Sequence, residues 1–110
     1  MELDLERLGF RKGFDLKNRF NLKTKVGDYE VSTVDLGINH QFLKGLPPLY
    51  YETMIFRKNG IHKEKNLFAY YQERYTTEEE AKKGHEEAVE FVKKELERYK
   101  KIELEREEEK

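Results

Sequence analysis

Cysteine is absent from the 110 residues, which excludes a disulfide framework, a thiolate metal cluster and a cysteine nucleophile. The seven glycines are scattered and never form G-x-G-x-x-G, so the chain has no glycine-rich phosphate cradle. Only one serine, Ser32, is present, and it falls mid-strand rather than on a strained turn that would suit a nucleophile. No apolar run approaches the length of about 20 residues that crosses a bilayer. The first ten residues also lack the basic-then-apolar order of a signal peptide. These absences lead to the expectation of a soluble cytosolic protein with no membrane contact and no cofactor.

What is present is charge: 41% of the residues are charged, with 22 Lys+Arg against 23 Asp+Glu. The near-neutral sum hides a gradient, from a basic N-terminal quarter (Arg7, Arg11, Lys12, Lys17, Arg19, Lys23, Lys25) to a glutamate-rich C-terminal third. The basic arm offers a contact for nucleic acid, but acidic residues are interspersed and a pI near 6.3 lies well below that of a dedicated binder. A solvated surface segment is the simpler reading.

A chain this short forms one domain, residues 1–110. Residues 1–18 show neither helical nor alternating period and read as an irregular arm. From residue 20 the period becomes two. Strands are expected over 20–26, 29–36, 49–57 and 66–75, with Gly27-Asp28 as a two-residue II′ turn and 37–48 as a loop containing Pro47-Pro48. Thr77 and Glu80 form a capping box, and Ala81, Gly84, His85, Ala88, Val92, Leu96 and Tyr99 follow on one stripe. The spacing therefore predicts a helix over 77–99. Residues 100–110 are expected to overhang the sheet as a frayed acidic tail, with contact to a second copy through Ile102 and Leu104 as the alternative. The fold class is α+β: an antiparallel sheet of three to four strands with one long C-terminal helix packed on one face.

Pairing 29–36 with 49–57 places Val34 opposite Glu52 and Ser32 opposite Met54. The face shared by Leu36, Val34, Tyr50, Glu52, Met54 and Phe56 is the one expected to receive the helix. Glu52 then becomes a carboxylate among apolar neighbours, and His85 on the helix stripe is its expected partner. Such a pair either fixes how the helix docks or, with His40 at the loop mouth, forms a general acid/base set of His40, Glu52 and His85. The docking role is preferred. A metal site from His40, His85, Glu52 and Asp35 has the composition but not the spacing, since His40, His62 and His85 show no i, i+4 relation.

The segments Val31-Ser32-Thr33-Val34-Asp35-Leu36-Gly37-Ile38-Asn39-His40-Gln41-Phe42, Pro47-Pro48-Leu49-Tyr50-Tyr51-Glu52-Thr53-Met54-Ile55-Phe56 and Glu73-Arg74-Tyr75-Thr76-Thr77-Glu78-Glu79-Glu80-Ala81, followed by Gly84-His85, form an ordered set. The set resembles a group of small tailed-phage and prophage proteins. These share S-T-V-x-L-G-x-[DN]-H, then P-P-L-x-x-E-T-M-x-F, then E-R-Y-x-T-x-x-E-A and G-H. The resemblance spans roughly residues 29–92. Asp35 stands at an aromatic-leaning position of that pattern and Asn39 at its acidic position. It implies a phage or mobile-element origin and names no activity. The resulting expectation is a non-enzymatic accessory protein that binds a protein partner, a virion component or a host or defence factor, around Asn39, His40 and Phe42. Its place would be the host cytoplasm or the virion. A small hydrolase or metal-assisted enzyme is the alternative.

Overall fold

The computed structural model describes residues 4–58 and 66–108. Four strands, β1 (Asn21–Val26), β2 (Tyr29–Asp35), β3 (Tyr51–Arg57) and β4 (Gln72–Tyr75), form an antiparallel meander in the order β1-β2-β3-β4. One helix, α1 (Glu78–Glu108), packs across it. This is the α+β arrangement expected from the periodicities. His62 lies outside the described residues.

Each boundary has a local cause. Val26 and Tyr29 close the first hairpin, and Gly27 takes the positive φ of 60° that a II′ turn demands at its first position. At the start of α1 the Glu80 N–H donates to Thr77 Oγ1 at 3.1 Å, and the Thr76 N–H donates to the Glu80 carboxylate at 3.3 Å. Thr77 is thus the N-cap, with the reciprocal bond reaching one residue further back than in a standard capping box.

The fourth strand is shorter than the aromatic run 66–75 suggested. Asn66 Oδ1 accepts the Phe68 N–H at 2.8 Å while its Nδ2 donates to Ile55 O at 2.9 Å, so a side-chain-closed turn replaces the expected strand start. That turn drives Phe68 into the core, edge-on to Tyr29 with ring centroids 5.0 Å apart. Val31, Ile55, Ala88 and Val92 complete the same buried cluster.

The register between β2 and β3 pairs Val34 with Glu52 and Ser32 with Met54, as the sequence pattern indicates. The face that receives the helix is the other one. Val31, Thr33, Thr53 and Ile55 are fully or almost fully buried under α1, and the Val34–Glu52–Met54–Phe56 face points away from it. Small or β-branched positions on each side suit this choice: Gly84 and Ala88 let the helix approach the flat surface made by Thr33 and Thr53. At Gly84 the approach is so close that a Cβ would overlap the Tyr75 ring.

The N-terminal arm has turns and no regular element, yet it is docked. Phe10 bridges Ile38, Phe14 is buried against Phe10 in a stacked pair, and the Arg11 guanidinium pairs bidentately with Asp35 at 3.1 and 2.5 Å. The helix runs past its expected end at residue 99: α1 continues through Glu108, and its 31 residues span about 46 Å at ~1.5 Å per residue. Leu96, against Val26 and Gly27, is the last side chain on the stripe packed onto the sheet. Tyr99 and Leu104 stand exposed beyond it.

Candidate functional site

The loop 37–48 between β2 and β3 carries the residues singled out for binding, and its shape follows from two amide side chains. Asn39 Oδ1 accepts the N–H groups of both Gln41 (2.8 Å) and Leu49 (2.9 Å), tying the two ends of the loop together. Gln41 continues the pattern inward: its Oε1 accepts the Leu43 N–H at 3.1 Å and its Nε2 donates to Pro47 O at 3.3 Å. The His40 N–H donates to Leu49 O at 2.9 Å, a further bond that closes the base of the loop. Backbone groups that water would otherwise satisfy are held internally, and the chain presents a shaped tip rather than a random excursion.

That tip is apolar. Phe42 is 86% exposed, Leu43 65% and Leu46 51%, with Lys44 between them and no carboxylate anywhere in the loop. Single exposed apolar residues are ordinary, but three of them clustered on one side-chain-stapled turn form a patch of the kind that other macromolecules cover. Asn39 and Phe42 therefore play different parts. Asn39 builds the loop and Phe42 is displayed by it. His40 is half-buried at the base.

The expected Glu52–His85 pair does not form. Strand pleating puts Thr53, not Glu52, under the helix, so the carboxylate and the imidazole lie on opposite faces of the sheet. Glu52 Oε2 accepts from Arg74 Nε and from Gln72 Nε2, each at 2.9 Å, across the β3–β4 pairing. His85 is 5% exposed and sits between two hydroxyls, with Nδ1 2.7 Å from Thr33 Oγ1 and Nε2 2.8 Å from Thr24 Oγ1. Thr33 Oγ1 in turn lies 2.6 Å from Thr53 Oγ1. Burial, the larger effect, holds the imidazole below its usual pKa, and Glu86 pulls weakly the other way.

Sequence reasoning missed this threonine–histidine network because Thr33 and Thr53 lie on the face opposite the one expected to receive the helix. The available signal was Thr33 and Thr53 at directly opposed positions, a pairing that supports cross-strand hydroxyl contacts.

A second polar centre also escaped the sequence. Arg11 stacks over Tyr50 at 4.8 Å from the ring centroid while gripping Asp35, which additionally accepts the Gly37 N–H at 2.8 Å. The hydrogen bond to Asp35 raises the Arg11 pKa further, and burial raises that of the neighbouring Tyr51 phenol. Asp35 is therefore occupied by the arm and not held for a metal. Among the described residues, no group of three His, Asp or Glu side chains is placed to hold a metal ion, and no helix is long and apolar enough to cross a membrane. His40, Glu52 and His85, the set needed for the enzyme alternative, are divided among the loop, the open sheet face and the helix interface.

Comparison with protein-family models, with curated proteins and with solved structures finds no match to this chain.

Proposed function

We propose that the protein is a non-enzymatic accessory module of phage or prophage type that binds another protein through the loop 37–48. The observation that carries this reading is the apolar tip of Phe42, Leu43 and Leu46, held in shape by the side chains of Asn39 and Gln41. Pre-organisation lowers the ordering cost of association, and a large aromatic at the tip is the kind of anchor that dominates interface energetics. The phage-type assignment rests on the sequence resemblance, which spans roughly residues 29–92 and so includes this loop and its flanking strands. Partners consistent with that origin are a virion component or a host or defence factor. The protein would accordingly reside in the host cytoplasm or the virion.

The test compares wild type with Phe42→Asp and Leu46→Asp as bait in host lysate, after circular dichroism shows that all three fold alike. Retention of a defined protein by wild type and its loss with both variants is the expected result. An identical set of retained proteins for all three baits would overturn the assignment of the loop.

A further inference from the structure

Beyond the loop, the edge of the sheet next to the helix has the geometry of a second docking site. β1 is the first strand in the order β1-β2-β3-β4, and among the described residues no backbone pairs with its outer side. The Asp35 N–H donates to Phe20 O at 3.0 Å, and with the alternation of an antiparallel ladder this turns the peptide groups of Phe20, Leu22, Thr24 and Val26 toward β2. The N–H and C=O groups of Asn21, Lys23 and Lys25 then point outward. Alongside this edge runs a groove of about 340 Å³ between β1 and α1, lined by Thr24, His85, Glu86, Val89 and Glu90.

We infer that this edge accepts an extended segment of a partner protein as an added antiparallel or parallel strand, lying in the groove between β1 and α1. Strand addition uses main-chain hydrogen bonds for affinity and alternate side chains for selection. The charges on the two sides define the partner. Residues turned toward α1 meet apolar Val89 and the His85 ring, flanked by the carboxylates of Glu86 and Glu90, and so are apolar or basic. Residues turned the other way lie beside the exposed Lys23 and Lys25 and so are acidic, because opposite charges across a strand pair attract and like charges repel. The same two lysines discourage indiscriminate edge-to-edge association of neutral or basic strands. The occupant is thus a strand with one acidic face and one apolar-basic face.

The experiment uses the peptide Glu-Val-Glu-Lys-Glu-Val-Glu, capped at both ends, titrated into the isotope-labelled full chain and followed by amide chemical shifts. Shifts confined to Asn21, Lys23, Lys25, Glu86 and Val89 are expected. The variant Lys23→Glu/Lys25→Glu, altered only at exposed positions, should bind this peptide about tenfold more weakly and should prefer the peptide in which every Glu is replaced by Lys. A peptide with proline at its centre should lose binding, because it cannot complete the ladder. Absence of shifts up to about 5 mM peptide, shifts mapping to another face, or equal binding of the proline peptide would each overturn the inference. Because no loop residue takes part, failure here leaves the Phe42 reading standing, and the reverse holds too.

Discussion

His85 Nδ1 lies 2.7 Å from Thr33 Oγ1, a contact that joins the helix to the second strand of the sheet. With Thr24 on the other ring nitrogen, the imidazole fixes both the position of α1 along the sheet and its rotation. A buried ring with two hydroxyl partners is worth keeping neutral, since a proton added there enters a site that burial has made unfavourable to charge.

This relationship makes stability depend on pH in a definite direction. The folded pKa of His85 is lowered from the ordinary 6.5, so below that value the unfolded chain binds a proton that the folded chain resists. The contribution is fully present above about pH 6.5 and is lost as pH falls toward the depressed folded value. Urea unfolding at pH 7.5 and pH 5.5 should show a smaller free energy at the lower pH. In His85→Gln that pH difference should shrink, while overall stability drops by about 1–3 kcal/mol from the imperfectly replaced hydrogen bonds. An unchanged pH difference in the variant would place the linkage elsewhere.

Gly84 gives a prediction whose sign opposes helix propensity. In an exposed helix interior, Gly→Ala gains about 1 kcal/mol. Here the added Cβ would enter the ring of Tyr75, so Gly84→Ala should instead destabilise by about 1–3 kcal/mol. Tyr75→Leu removes the obstruction, and in that background the same glycine substitution should cost distinctly less. A double-mutant cycle of melting temperatures measures the coupling, and strict additivity would contradict the close contact.

How legible these features were in the sequence depended on their range. The hairpin and the helix start were readable because each rests on neighbours a few residues apart, Gly27-Asp28 and Thr77 with Glu80, and the β2–β3 register followed from the period-two alternation of two consecutive strands joined by one loop. The choice of sheet face was not readable. In β2 every residue from Tyr29 to Thr33 is buried, so alternation gives no preference, and the deciding partners, Ala88 and Val92, come from a helix far along the chain. Threonine adds to the ambiguity, being small enough for a core when its hydroxyl finds a partner, as Thr33 and Thr53 do. In the candidate site, Phe42 and Asn39 were identifiable by residue type. The division of labour between them needed the bonds from Asn39 to Gln41 and Leu49. The pairing of Arg11 with Asp35 bridges 24 positions without any local pattern to announce it.

That pairing yields a third prediction. The Asp35 side chain is only 6% exposed, and Arg11 is its bidentate partner. Arg11→Met leaves a buried carboxylate without its cation and should cost about 3 kcal/mol. The loss should be local first, because Arg11 with Phe10 and Phe14 anchors the arm to Gly37 and Ile38. Limited trypsin digestion should cut at Lys12 sooner in the variant than in wild type, while cleavage at Lys23 and Lys25 in β1 and at Arg57 in β3 stays slow. Equal rates at Lys12 would show that Phe10 and Phe14 hold the arm without the ion pair.

The helix start offers a last test, one that separates local from tertiary stability. Thr77 Oγ1 accepts the Glu80 N–H, and Glu78, Glu79 and Glu80 place negative charge at the positive end of the helix dipole. Thr77→Ala removes the cap and should lower stability by about 1 kcal/mol, whereas Thr77→Asp or Thr77→Ser should retain most of it. Thr76→Ala should have little effect, because the Thr76 N–H that donates to Glu80 is a backbone group and survives the substitution. Chemical denaturation of the four variants gives the ranking. If Thr76→Ala proved as costly as Thr77→Ala, the cap would lie one residue earlier, and α1 would begin one residue sooner with the seat of His85 on Thr33 unchanged.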